Sequence, residues 1–343
     1  MKWMPDNIIL SRTDSIGDVV LTLPVAKVLK DHFPTIKIAL LGREYTRQVA
    51  EACVHIDQFI EYREFLQHPV KIAGELPQCI VHVLPERQVA TRAKKLRIPL
   101  RIGTTNRLYH WKTCNRLVRL SRKNSPLHEA QLNLRLLEPL GIAQNFQLEE
   151  IGQWYGLEPL PVLPEHVAAL VQKDRYNLIL HPRSRGSARE WGLPNFIQLI
   201  HSLDPQVYRI FISGTKEEQK SLSALFEAVG NQVTDLTGRL TLTELISFIA
   251  HCDGLVACST GPLHLAAALG KDALGIYAPL HSIHPGRWKP VGPKAQVFVV
   301  NRACADCKGM KAPCHCIEEV SWRSILDELD RRSAAKVLPV EKV

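Results

Sequence analysis

Residues 7 to 31 read NIILSRTDSIGDVVLTLPVAKVLKD, and the class of fold turns on this stretch. Asn7 to Ser11 is a short, largely apolar run of the length of a buried strand. A polar loop follows, Arg12-Thr13-Asp14-Ser15-Ile16-Gly17-Asp18. Between Val19 and Asp31, Leu21, Val25, Val28 and Leu29 fall at i, i+4, i+7 and i+8, the spacing of one helix face. Strand, loop and helix are therefore expected in that order. Pro24 fits such a helix only in its first turn or at a kink, because it has no N–H to donate and its ring crowds the preceding turn.

The alternation continues outward. Ile36–Gly42, Cys79–Leu84 and Leu100–Gly103 read as further strands among helical segments, and residues 127 to 138 as a helix closing this half. WYGLEPLPVLP, between Gln153 and Pro164, holds three prolines and a glycine, a composition that suits a linker. Beyond it Asn177–His181, Tyr208–Ser213, Gly254–Cys258 and Ala273–Tyr277 restart the rhythm as strands. The expectation is an α/β fold of two Rossmann-like domains facing a central cleft, residues 1–155 and 165–316, with a helix and tail over 317–343.

The chain has 343 residues, 45% of them apolar, enough for two packed cores. No run approaches the ~18 apolar residues of a membrane span, and Met1 to Leu10 is too short and polar for a signal peptide, so a cytoplasmic protein is expected. Nine cysteines in such a chain read as thiols or metal ligands. The net charge is +9, and residues 87 to 128 contain twelve Lys or Arg and no acid. Lys112, Arg116, Arg119 and Lys123 would line one face if that segment is helical. Such a face is either merely solvated, or it attracts phosphorylated glycolipid, an anionic membrane surface or nucleic acid.

Three loops carry the chemistry. Asp18 follows the first strand, where open α/β sheets bind ligands; it either caps the helix or acts as a general base. The loop lacks the Gly-x-Gly-x-x-Gly spacing, which weighs against a dinucleotide cofactor. The second loop, His181-Pro182-Arg183-Ser184-Arg185-Gly186-Ser187-Ala188-Arg189-Glu190-Trp191-Gly192, is rich in donors suited to phosphate oxygens. The third, Ser259-Thr260-Gly261-Pro262-Leu263-His264, places a hydroxyl before a helix that starts with glycine and proline, a second anion site; His264 is either a core histidine or a ligand contact. No Asp-x-Asp pair stands ready for a divalent metal, so charge on a diphosphate leaving group would fall to Arg189, hydroxyls and the helix end. Acid in one half and two anion sites in the other suit group transfer from a nucleotide diphosphate.

At these residues the sequence resembles glycosyltransferase family 9, the ADP-heptose:lipopolysaccharide heptosyltransferases. RTDSIGDVVLTLP, the Arg-Glu-Trp end of the second loop and STGPLHLAAALG carry the likeness. It implies a GT-B fold, inversion at the anomeric carbon and no metal or other cofactor. It implies Asp18 as catalytic base, and a donor site built from Ser184, Ser187, Arg189, Glu217, Ser259, Thr260, Gly261 and His264. Two departures stand out: Arg189 replaces the family's usual Lys, and Ser259 replaces an Asp. The expected partners are ADP-heptose, a phosphorylated lipopolysaccharide inner core and, peripherally, the inner membrane, with no nucleic acid. The final helix, Ser321 to Arg332, would return to pack on the first domain. Cys304, Cys307, Cys314 and Cys316 either bind zinc or are free thiols, their Cys-x-Cys end departing from the commonest knuckle spacing. Transfer of another sugar is the alternative within this class, and a nucleic-acid-binding protein with a cysteine metal site the alternative outside it.

Overall fold

In the computed structural model, which describes residues 4–122, 125–158, 160–280, 284–301 and 315–337, Pro24 resolves the first crossover into two helices. One spans Ile16–Val20 and the next Leu23–His32, with Pro24 in the first turn of the second. A proline there forfeits no intrahelical bond. The apolar spacing holds across the break, and Leu21, Val25, Val28 and Leu29 are all buried.

The chain divides into two units, residues 1–160 and 161–343. The first holds six strands, β1 (Asn7–Ser11), β2 (Lys37–Gly42), β3 (Gln58–Glu61), β4 (Cys79–His82), β5 (Leu100–Thr104) and β6 (Arg116–Val118), in the order β3-β2-β1-β4-β5-β6. The second holds β7 (Tyr176–His181), β8 (Tyr208–Ile212), β9 (Val233–Asp235), β10 (Gly254–Cys258), β11 (Asp272–Tyr277) and β12 (Ala295–Val299), in the order β12-β11-β10-β7-β8-β9. Every pairing is parallel. Counted within its own unit, each sheet runs third, second, first, fourth, fifth, sixth, the doubly wound order in which the winding reverses between the first and fourth strands. Residues of β1, β4, β7 and β10 are buried throughout, as strands covered on both faces must be.

The sheet edges were not foreseen. β3, β6, β9 and β12 are short or half-buried and lack the apolar run that marks a central strand. β6 overturns the basic helix: Arg116 to Val118 pair with Ile102 to Thr104, and only His110–Thr113 before them is helical. Val118 and Leu120 alternate inward with period two, which outweighs the helical spacing of the charges. Lys112, Arg116 and Arg119 are exposed but share no helix face, and Lys123 lies outside the described residues. The segment 127–138 also divides, into a helix Glu129–Leu134 and a 3-10 stretch Arg135–Leu140 that contains Pro139.

The final helix, Trp322–Val337, belongs to the second unit rather than to the first domain. Ile325 and Leu329 enter that core with Trp191, Phe196 and Leu199. Tyr208 donates to Asp330 at 2.8 Å, Arg332 pairs with Asp272 at 2.6 Å, and the Trp191 indole donates to the Val320 carbonyl at 2.8 Å. Among the described residues no helix is long and apolar enough to cross a membrane.

Candidate functional site

The loop after β1 leaves the sheet where the winding reverses, and its charges gather around one buried guanidinium. Arg12 is 2% exposed and faces three carboxylates: Asp14 at 2.7 Å, Glu129 at 3.0 Å, and Asp18. Arg122 also binds Glu129, and reaches Asn133 at 3.1 Å and the Val83 carbonyl at 2.8 Å. Two cations thus meet three carboxylates, leaving one negative charge in excess. Burial would lower the Arg12 pKa, yet Asp14, Asp18 and Glu129 together raise it, so the guanidinium stays charged.

Asp18 sits in the first turn of the helix Ile16–Val20 without capping it. Its carboxylate accepts from Arg12 and from the Ser15 hydroxyl, and no side chain caps the helix N–H groups. At 16% exposure it can reach a ligand above the strand end while its orientation is fixed. Asp14 differs. Burial lifts its carboxyl from the ordinary 3.8 to about 6, the charge on Asp18 adding to the rise and Arg12 opposing it. Arg12, Asp14, Arg122 and Glu129 were missed in the sequence. The available signal was that Glu129 is the first acid after the acid-free run, as a buried cation requires.

The second unit repeats the arrangement with other chemistry. After β7, the loop is closed on Glu190, which accepts from the Ser184 amide at 2.9 Å, the Ser184 hydroxyl at 3.1 Å and Arg183 at 2.8 Å. The Ser187 hydroxyl donates to the Ser184 carbonyl at 2.7 Å. The two serine hydroxyl protons, the Ser184 and Ser187 N–H groups and the Arg183 guanidinium are therefore all used to shape the loop. Gly186, at φ +78°, makes the turn without steric cost. Trp191 is fully buried and anchors the loop's end, with Arg189 half-buried two residues before it.

Beside that loop, the helix Gly261–Ala268 begins at the end of β10, with Pro262 in its first turn. Thr260 precedes it in an extended conformation, and its buried hydroxyl has no hydrogen-bond partner among the described residues. A buried hydroxyl left open at a helix N-terminus is poised for a ligand oxygen. Ser259 is half-buried and His264 buried. At the next strand end His181 binds the Ser213 hydroxyl at 2.9 Å, and burial lowers its pKa, holding it neutral. Glu217 is exposed on a short helix after β8, where bonds to its own amide and to Thr215 lower its carboxyl. Its neighbour Glu218 is buried and closes the Thr215 capping box. Cys316 is buried, and Cys304, Cys307 and Cys314 lie outside the described residues.

Two doubly wound units, one with a constrained acid at its reversal point and the other with an open buried hydroxyl at a helix N-terminus, have the composition of a GT-B fold. The sequence profile of glycosyltransferase family 9 (heptosyltransferase) matches residues 96–318. The chain is 25% identical over 311 residues to a putative glycosyltransferase of Haemophilus influenzae, covering 83% of this chain and 86% of that protein. It is 20% identical over 291 residues to lipopolysaccharide heptosyltransferase 3 of Escherichia coli, covering 80% and 82%. The solved structure of E. coli ADP-heptose lps heptosyltransferase II superposes with a TM-score of 0.73 at 16% identity, over 97% of this chain and 100% of that one. This protein belongs to glycosyltransferase family 9, the heptosyltransferase family. None of these matches supports the nucleic-acid-binding alternative.

Proposed function

We propose that this enzyme transfers heptose from ADP-heptose to a phosphorylated, lipopolysaccharide-type inner core, by single displacement with inversion and without a metal. Family membership supplies the class of reaction, and the constrained Asp18 carboxylate carries the mechanism. As the acceptor hydroxyl attacks the anomeric carbon, its proton passes to Asp18 while the bond from that carbon to the diphosphate oxygen breaks. Arg12 and Ser15 hold the carboxylate in place, so little reorganisation is needed when the proton arrives. In the second unit Arg189, the Thr260 hydroxyl and the N-terminus of helix Gly261–Ala268 receive the charge that develops on ADP. Ser184, Ser187, Ser259, Gly261 and His264 line the donor site, with Glu217 as the candidate for the ribose hydroxyls.

Lys112, Arg116 and Arg119 are assigned to phosphates of the acceptor or of the membrane surface that holds it, an assignment supported by their exposure in the first unit. A lipid-linked acceptor would place the enzyme in the cytoplasm, peripheral to the inner membrane. Thermal shift with ADP-, UDP- and GDP-sugars tests the donor: a ligand at a hundred times its Kd stabilises the fold by about 2.7 kcal/mol. The ADP-sugar should raise the melting temperature most. Equal shifts from all three, or a preference for UDP or GDP, would overturn the donor assignment.

A further inference from the structure

Residues Arg107 to Tyr109 turn into the short helix His110–Thr113, with His110 N–H bonded to Arg107 O at 2.9 Å and Thr113 N–H to Tyr109 O at 3.0 Å. Its amphipathicity is inverted. The inward positions are polar: His110 is fully buried, and Thr113 is buried with its hydroxyl on the Tyr109 carbonyl at 2.8 Å. The His110 ring lies over Gly103, where a Cβ would come within 2.6 Å of Nδ1, and the Thr104 amide donates to that Nδ1 at 2.9 Å. These contacts fix which way the turn faces. Leu108 and Trp111, at i and i+3, point outward and are 87% and 61% exposed. The Trp111 indole N–H is already satisfied by the Thr105 carbonyl at 3.0 Å, so moving the ring into an apolar phase strands no donor.

Exposed cations surround this apolar pair. Arg107 and Lys112 flank it, and Lys94, on the helix Arg87–Lys95, reaches the Lys112 carbonyl at 2.8 Å. No acid interrupts residues 87 to 128. We propose that this turn is a lipid wedge: Leu108 and Trp111 enter the headgroup–acyl boundary of an anionic bilayer while Arg107, Lys112 and Lys94 contact its phosphates. A second copy of the chain is a poor occupant, since pairing these faces would bring cation against cation. The wedge gives a physical means for the peripheral association proposed above and rests on that reading for its purpose, but lipid binding is measurable without sugar transfer.

The test is sedimentation of the full chain with vesicles of phosphatidylglycerol and phosphatidylcholine, or of phosphatidylcholine alone, at low and high salt. Wild type should prefer the anionic vesicles and retain a salt-resistant bound fraction. The double variant Leu108→Ser/Trp111→Ser should lose that fraction, its partition coefficient falling about tenfold or more. Lys112→Gln should cost about fivefold on anionic vesicles and nothing on neutral ones. Unchanged melting temperature and an unchanged ADP thermal shift in the double variant would show that fold and donor site are intact, separating failure here from failure of the donor assignment. Wild-type partitioning by the double variant, complete release of wild type by salt, or a concentration-dependent dimer that the double variant abolishes would each overturn the wedge.

Discussion

Replacing Asp14 by Asn should stabilise the first unit at alkaline pH. In the folded protein the Asp14 carboxyl titrates at about 6 instead of 3.8. Between those values the folded state holds a proton that the unfolded chain has released, so stability falls as pH rises through the window and stays lower above it. The whole shift corresponds to about 3 kcal/mol. Asp14 keeps 29% of its exposure, however, and solvent screening reduces this to on the order of 1–2 kcal/mol. The shift already includes the attraction to Arg12, so the loss of that charge pair needs no separate deduction. The Asn carbonyl oxygen can still accept the Arg12 Nε–H that the carboxylate accepts at 2.7 Å, and Arg12 keeps Asp18 and Glu129 as counter-charges. Scanning calorimetry of wild type and Asp14→Asn between pH 5 and pH 8 measures the effect. A domain of about this size gains roughly 2–4 °C per kcal/mol, so the variant's first-unit transition should move up relative to wild type by several degrees as pH increases. A gap independent of pH, or a wild type that is the more stable protein at pH 8, would refute the assignment of a strained, ionised Asp14.

Asp18→Asn should lower turnover by roughly 10²–10⁴-fold while the ADP-induced thermal shift stays at its wild-type value, because the change lies in the first unit; initial rates and melting curves check the two halves separately. Arg189→Ala should reduce kcat/KM by the equivalent of about 2–4 kcal/mol and weaken ADP binding, and wild-type activity should persist in excess EDTA; a strict magnesium or manganese requirement would contradict the metal-free step. Trp191→Ala removes a fully buried ring packed edge-on against Phe196 and leaves the Val320 carbonyl without its donor. It should cost about 3–5 kcal/mol, read as a lowered second-unit transition with the first unmoved.

The central strands were legible because burial on both faces writes itself as continuous apolar runs. Gly254–Cys258 matches its run residue for residue, and Asn177–His181 gains only Tyr176 at its start. Edge strands carry no such mark, and β6 was hidden under charges whose spacing imitates a helix. Pro24 was compatible with a first turn or with a kink, and the structure decides for the first turn of a new helix. Around the site, the loops could be located because doubly wound sheets use the same strand ends. What each side chain does there depends on partners distant in sequence. Arg12 reads as a surface cation until Glu129, 117 residues later, is placed against it. Ser184 reads as a phosphate donor until Glu190 and the Ala188 carbonyl are placed to accept from its hydroxyl.

The membership of helix Trp322–Val337 in the second unit sets an order of events during synthesis. The first unit's buried cluster around Ile9, Ile60 and Ile80 draws on residues 9 to 98, so it can close on the ribosome while the rest of the chain is still being made. The second cannot: Trp191 waits for Val320, Tyr208 for Asp330 and Asp272 for Arg332. A nascent chain stalled before residue 320 would present the ribosome's surroundings with a finished first unit joined to an open, aggregation-prone second unit. Closure of the second core thus follows closure of the first.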